Sequence, residues 1–218
     1  MIFRGCKNKV DAKGFTCEEF TTLVIDLTQD LDTIWNNMSR KDCRRAIKRA
    51  EEIGVKIKSN QNYEEFFNIN LLFRKKKGLD RYYESIEFMK KYGTLFTAEF
   101  NGEILLGRFY LEDKYNIRAL FSASKRFNVD KERVRLIANA NKLLIWNTIK
   151  YAKDKGIREY DMGGYYTGEK KDIQKENINR FKKSFGGKLV THYIYEKDYS
   201  KLFTFTKKIY KIKKSVIK

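Results

Sequence analysis

Glu159-Tyr160-Asp161-Met162-Gly163-Gly164 and, beyond a polar loop, Asn179-Arg180-Phe181-Lys182-Lys183-Ser184-Phe185-Gly186-Gly187-Lys188-Leu189-Val190 decide the reading of this chain. A short strand ends in a glycine pair. A short basic helix follows the loop, and a second glycine pair leads into a new strand. Glycines at both junctions let backbone approach backbone or ligand closely, because no Cβ intervenes. A basic helix held between two such junctions predicts a cleft for an anionic or extended substrate.

The pattern extends outward on both sides. Positions 130–155 read as a long helix carrying Val134, Ile137, Leu144, Ile145 and Trp146, stopped at Gly156. Before it come three strands: 94–100, turning at Asn101-Gly102, then 103–111, then 115–123 after a turn at Asp113-Lys114. Positions 63–92 are helical with a break at Gly78, and 55–58 alternate like a half-exposed strand. Ser39 offers an N-cap for a helix through about Glu52, stopped by Gly54. A short helix over 31–37 and a β-prone run over 22–27 precede it, and residues 1–21 read as an extension or small edge element. After the second glycine pair, 188–195 form a strand. The segment 200–218 sets Leu202, Phe205, Ile209, Ile212 and Val216 on one helical face amid lysines. Together these elements predict an α/β (α+β) fold, a central mixed sheet flanked by helices, with residues 22–218 as one domain.

The 218 residues carry 47 Lys+Arg against 28 Asp+Glu, a net charge of +19. Such a surface attracts polyanions at long range and makes their binding salt-sensitive. RNA, pyrophosphate-linked molecules and an anionic membrane face are the candidate partners. A lysine-rich compositional bias accounts for the charge equally well. Cys6, Cys17 and Cys43 have no metal-type spacing, and the chain has a single histidine, so no metal site is expected. His192 alternates with Val190 and Ile194, which gives it a structural place on an apolar face. Neither a signal-peptide run nor an 18-residue apolar stretch occurs. The expected location is the cytoplasm, or the inner face of the membrane.

Two segments carry a family resemblance. One is Trp35-x-x-Met38-Ser39-x-x-x-x-Arg44-x-x-Ile47-Lys48-Arg49-Ala50-Glu51-x-x-Gly54-Val55. The other runs through Tyr160-Asp161-Met162-Gly163-Gly164 to Asn179-Arg180-Phe181-Lys182-x-x-Phe185-Gly186-Gly187. In this order and spacing the chain resembles the Fem-type aminoacyltransferases of bacterial cell-wall synthesis, a branch of the GNAT acyltransferase superfamily. Fem enzymes carry two such domains in tandem, whereas this chain has room for one. Acetyltransferases that use coenzyme A place a glycine-rich pyrophosphate loop between the central strand and its helix. Here that junction reads Ser122-Ala123-Ser124-Lys125-Arg126-Phe127-Asn128-Val129-Asp130, without glycine.

The resemblance implies an N-acyltransferase that moves an aminoacyl group from aminoacyl-tRNA to an amine of a cell-wall or surface-glycan precursor. No tightly bound cofactor is expected. Asp161 and Lys182 are the candidate catalytic residues. Asp161 would orient or deprotonate the amine, unless it only accepts loop amides, and Lys182 would neutralise phosphate. Arg180, Phe181, Tyr165, Tyr166, Gly163 and Gly164 would bind substrate, although Phe181 and Phe185, four apart, suit core packing as well. Arg44, Arg45 and Lys48, with Lys125 and Arg126, are the candidate polyanion contacts; a run of charge on a helix is also the mark of a solvated face. Two alternatives stand beside this reading. One is an acyl-CoA-dependent N-acetyltransferase acting on an amino sugar, and the other is a non-catalytic module that binds RNA or an anionic membrane.

Overall fold

The Asn101-Gly102 turn organises the largest block of structure. Both residues take positive φ, 50° and 78°, and so join β4 (Thr94–Phe100) to β5 (Glu103–Glu112) as a tight hairpin. The carboxylate of Asp113 accepts the amides of Tyr115 and Asn116, which returns the chain as β6 (Asn116–Ser124), antiparallel to β5. β3 (Lys56–Ser59) pairs antiparallel with the other edge of β4. From β6 the chain crosses through α5 (Lys131–Asp154) to β7 (Glu159–Gly164), which lies parallel to β6. β2 (Thr16–Asp26) borders β7.

The computed structural model describes residues 1–79 and 85–200, and these divide into two compact units. The larger, residues 23–189, holds the sheet order β2-β7-β6-β5-β4-β3, mostly antiparallel and covered by helices on both faces. On one face lie α1 (Leu31–Asn37), α2 (Arg45–Glu52) and α5. Their Ile34, Ile47, Ala50, Ala140, Leu144 and Ile149 share a core with Leu106, Tyr110 and Tyr160. On the other face lie α3 (Tyr63–Lys77) and α4 (Ile86–Tyr92), whose Phe66, Ile69 and Met89 pack on Leu95, Phe109 and Phe121. Gly107 makes this approach possible, since a Cβ there would collide with the Phe66 ring. The expected mixed sheet flanked by helices is therefore present.

Three expectations need comment. The helix begun at Ser39 is not α-helical throughout. Ser39 does cap it, accepting the Asp42 amide, but Arg40–Arg44 form a π-helical turn before α2. The wider turn points Cys43 inward, its Sγ 3.8 Å from the Met38 sulfur. Of the two readings of the N-terminal residues, an extension or a small edge element, the structure has the edge element, together with the start of β2. β1 (Ile2–Cys6) is antiparallel to β8 (Lys188–Glu196), and β8 neighbours β2, which starts at Thr16. Residues 1–22 with 190–200 constitute the smaller unit as far as it is described. Within it Tyr195 Oη accepts from the Val10 amide and donates to the Val10 carbonyl, and His192 packs edge-on against Phe20. The helix expected over 200–218 lies, from residue 201, outside the described residues. Among the described residues no helix is long and apolar enough to cross a membrane.

Candidate active site at a fork between parallel strands

β6 and β7 pair only at Asn116↔Glu159, Ile117↔Tyr160 and Arg118↔Asp161. Beyond that last pair β6 continues to Ser124 and β7 to Gly164, so their ladder ends while both strands run on, and the place between their carboxyl ends is the candidate cleft. Open α/β sheets bind ligands at such places. Gly163 takes φ +81°, and its amide donates to Asp161 Oδ1 at 2.7 Å, so the end of β7 is locally turned about the Asp161 carboxylate.

Asp161 sits at the fork, 9 % exposed, with Arg118 Nη1 3.3 Å from its Oδ2. α6 (Ile173–Lys183) is started by Asp172, whose carboxylate accepts the Lys175 amide. Lys182 reaches down from its last turn and donates to the Gly164 carbonyl. Burial pushes the Lys182 ammonium down to about 8; Asp161 opposes that shift, while Arg108 and Arg118 add to it. Arg108, on β5, donates through Nε to Asn141 Oδ1 of α5 at 2.9 Å. Lys182 thus feels two further cations, Arg118 and Arg108, and one carboxylate, Asp161, which Arg118 pairs. Such a cluster favours an anion or a developing oxyanion in the cleft. Behind it the hydroxyls of Tyr110 and Tyr160 are bonded at 2.8 Å and fix β7 against β5.

The structure brings Asp161, Gly163, Gly164 and Lys182 together as expected. Arg108 and Arg118 were missed. Their signal was a lone charge inside an otherwise apolar strand, as in Leu105-Leu106-Gly107-Arg108-Phe109-Tyr110. Asn179 was missed too: its side chain accepts from the Tyr166 amide and donates to the Tyr166 carbonyl, at 3.0 and 2.7 Å, and so clamps the 165–172 loop to α6. Tyr166 otherwise serves this loop, its hydroxyl donating to the Lys170 carbonyl and its ring lying under Lys175. Tyr165 and Phe181 are half-buried against the core, the latter edge-on to Phe185, and Arg180 is exposed.

The two glycine pairs do different work. At Gly163 and Gly164 no backbone or core atom lies within contact of an added Cβ, so that pair leaves room in the cleft. At Gly186 and Gly187, with φ +77° and +91°, a Cβ would lie 2.9 Å from the Asn37 carbonyl oxygen and 2.6 Å from that of Val24. This second pair lets the turn after α6 press onto α1 and β2.

The polyanion candidates fall in two places. Arg44, on the π-turn, bonds Asn36 Oδ1 at 2.9 Å, and Arg45 and Lys48 are exposed on α2. Lys125 is held between Glu65 and Glu103 at 3.1 and 3.3 Å, and Arg126 lies over the rings of Phe73 and Phe127. At the β6–α5 junction, two of the amides that could meet a pyrophosphate are already bonded. The Lys125 amide donates to the Leu105 carbonyl, and the Arg133 amide to the Asp130 carboxylate that caps α5.

No family model matches the chain, and no curated protein matches it. Among solved structures it is similar to FemX, with a TM-score of 0.65 over 94 % of this chain and 68 % of that one, at 13 % identity. It is similar also to L-PGS from Bacillus licheniformis, at 0.60 over 88 % of this chain and 64 % of that one, with 12 % identity. A third likeness is to the C-terminal domain of a putative lysylphosphatidylglycerol synthetase from Agrobacterium fabrum, at 0.56, 85 %, 62 % and 11 %. The chain spans less than two thirds of the length of these last two. At such identities the likeness is one of fold, and it is to the GNAT-like fold that the motifs implied.

Proposed function

We propose that the chain is an N-acyltransferase of the Fem type, passing an aminoacyl group from aminoacyl-tRNA to an amine of a cell-wall or surface-glycan precursor. The observation that carries this reading is the fork of β6 and β7, with Asp161 and Arg118 at its base and Lys182 over its mouth. An aminoacyl ester laid along the fork places its carbonyl among cations. The acceptor amine attacks that carbon, and the new C–N bond forms as the ester C–O bond breaks. Asp161 holds the acceptor ammonium and takes its proton. Lys182, as a cation, stabilises the negative oxygen of the tetrahedral intermediate and gives a proton to the departing ribose oxygen, and the extra proton left on the new amide nitrogen passes back to the Lys182 amine. No covalent enzyme intermediate is required.

The β6–α5 junction supports tRNA over coenzyme A as donor. A pyrophosphate there would meet the Asp130 carboxylate at the start of α5 and would compete with it for the Arg133 amide. The test is calorimetric titration of the purified chain with aminoacyl-tRNA, deacylated tRNA and acetyl-CoA, followed by transfer assays with amine acceptors. Lys182→Ala is expected to lower transfer about a hundredfold or more while leaving the fold intact. Unchanged transfer in that variant would remove Lys182 from the mechanism.

A further inference from the structure

The C-terminal half of α3 presents a face that the reaction above does not use. Leu71 and Leu72 are 42 % and 63 % exposed, while Phe66 and Ile69 on the opposite side fill the core. One turn on, Lys75 and Lys76 point the same way, by helical spacing, and both are exposed together with Lys77. Gly78, at φ +62°, ends the helix, and the Leu79 amide returns to the Arg74 carbonyl, leaving Leu79 51 % exposed at the helix end. Residues 66–79 contain no acid. The β6–α5 loop extends the basic character, because Arg126 lies over Phe73 and Phe127, with Lys76 and Lys77 also over the Phe127 ring.

We propose that this end of α3, with Leu71, Leu72, Lys75 and Lys76 on its outward face and Lys77 and Leu79 at its terminus, docks on an anionic phospholipid bilayer, leucines entering the interface and lysine amines reaching the phosphates. Binding at a membrane interface rests on buried apolar area together with attraction to anionic headgroups, and the outward leucines and neighbouring lysines supply one each. Lysine stems can lie along apolar surface while their heads stay among phosphates. RNA fits this face less well. Its backbone gives outward leucines nothing to contact, and the aromatic rings that could stack on bases are already covered by cations.

The test compares the full-length wild type with two variants, Leu71→Ser/Leu72→Ser and Lys75→Gln/Lys76→Gln/Lys77→Gln. Each is mixed with vesicles of equal parts phosphatidylglycerol and phosphatidylcholine, with pure phosphatidylcholine vesicles, and with deacylated tRNA, and circular dichroism checks each fold. The basic segment 201–218 is present in every protein, so its contribution cancels in the comparison. The wild type is expected to sediment with the anionic vesicles and not with the neutral ones. The leucine pair, which leaves the charge unchanged, should weaken vesicle binding about tenfold or more while tRNA binding stays the same. Removing the three lysines should weaken it roughly a hundredfold. No binding of the wild type to anionic vesicles would overturn the proposal. So would a leucine-pair variant that binds vesicles as the wild type does, or one that loses tRNA binding equally.

Discussion

Lys182 joins the charge of the site to the energetics of the fold. The unfolded chain holds that proton up to the ordinary lysine value of about 10.4, whereas the folded chain releases it near 8. Between those pH values the unfolded state binds more protons, so stability rises with pH there, and below about 8 the buried cation costs stability. Lys182→Met is therefore expected to melt higher than wild type at neutral pH, with the difference shrinking as pH approaches about 10. Thermal melts across that range check it. Activity should move the other way: if Lys182 acts as a cation, transfer falls as pH rises through about 8. Lys182→Arg, which stays charged, should retain some transfer and lose that alkaline fall. An activity that instead rises through the same pH would make Lys182 the base. Asp161 was singled out in the sequence by the glycine pair that follows it, and Lys182 by the family resemblance. Arg108 and Arg118 were not, because only strand pairing sets Arg118 beside Asp161 and only the folded sheet brings Arg108 to act on Lys182.

At the scale of elements, the two glycine pairs look alike in sequence but predict opposite outcomes. Gly187→Ala puts a Cβ 2.6 Å from the Val24 carbonyl oxygen at φ +91°. It is expected to cost at least about 1–2 kcal/mol, which for a chain of this size lowers Tm by several degrees. Gly164→Ala meets open space without a positive φ, so the melt should stay within about 0.5 kcal/mol of wild type while transfer declines as the cleft narrows. Equal melting of the two variants would contradict this division. The Asn101-Gly102 hairpin, the α5 helix and the break at Gly78 could be read from the chain, because turn chemistry and apolar periodicity both mark them. The opening of β2 could not. Thr16-Cys17-Glu18-Glu19 is almost wholly exposed, so that segment is a strand through its pairing with β8 and carries no apolar alternation. The π-turn was hidden for a related reason, since it depends on where Cys43 meets Met38.

For the whole molecule, the charge of +19 attracts polyanions of any kind at low salt, with an affinity that falls as salt rises. Polyanion binding alone is therefore weak support for an aminoacyl donor. The informative quantity is the difference between charged and uncharged tRNA at one ionic strength, because the phosphate contacts are then the same in both. The fold was legible as a mixed sheet with helices on both faces, while its two compact units were not, since the smaller joins the two ends of the described chain. The most direct measurement is the affinity for aminoacyl-tRNA beside deacylated tRNA and acetyl-CoA, at one ionic strength, in wild type and in Lys182→Ala. The account predicts tighter binding of the aminoacylated form, loss of that preference in the variant, and no saturable binding of acetyl-CoA. Equal affinity for the two tRNAs, or saturable stabilisation by acetyl-CoA, would contradict it.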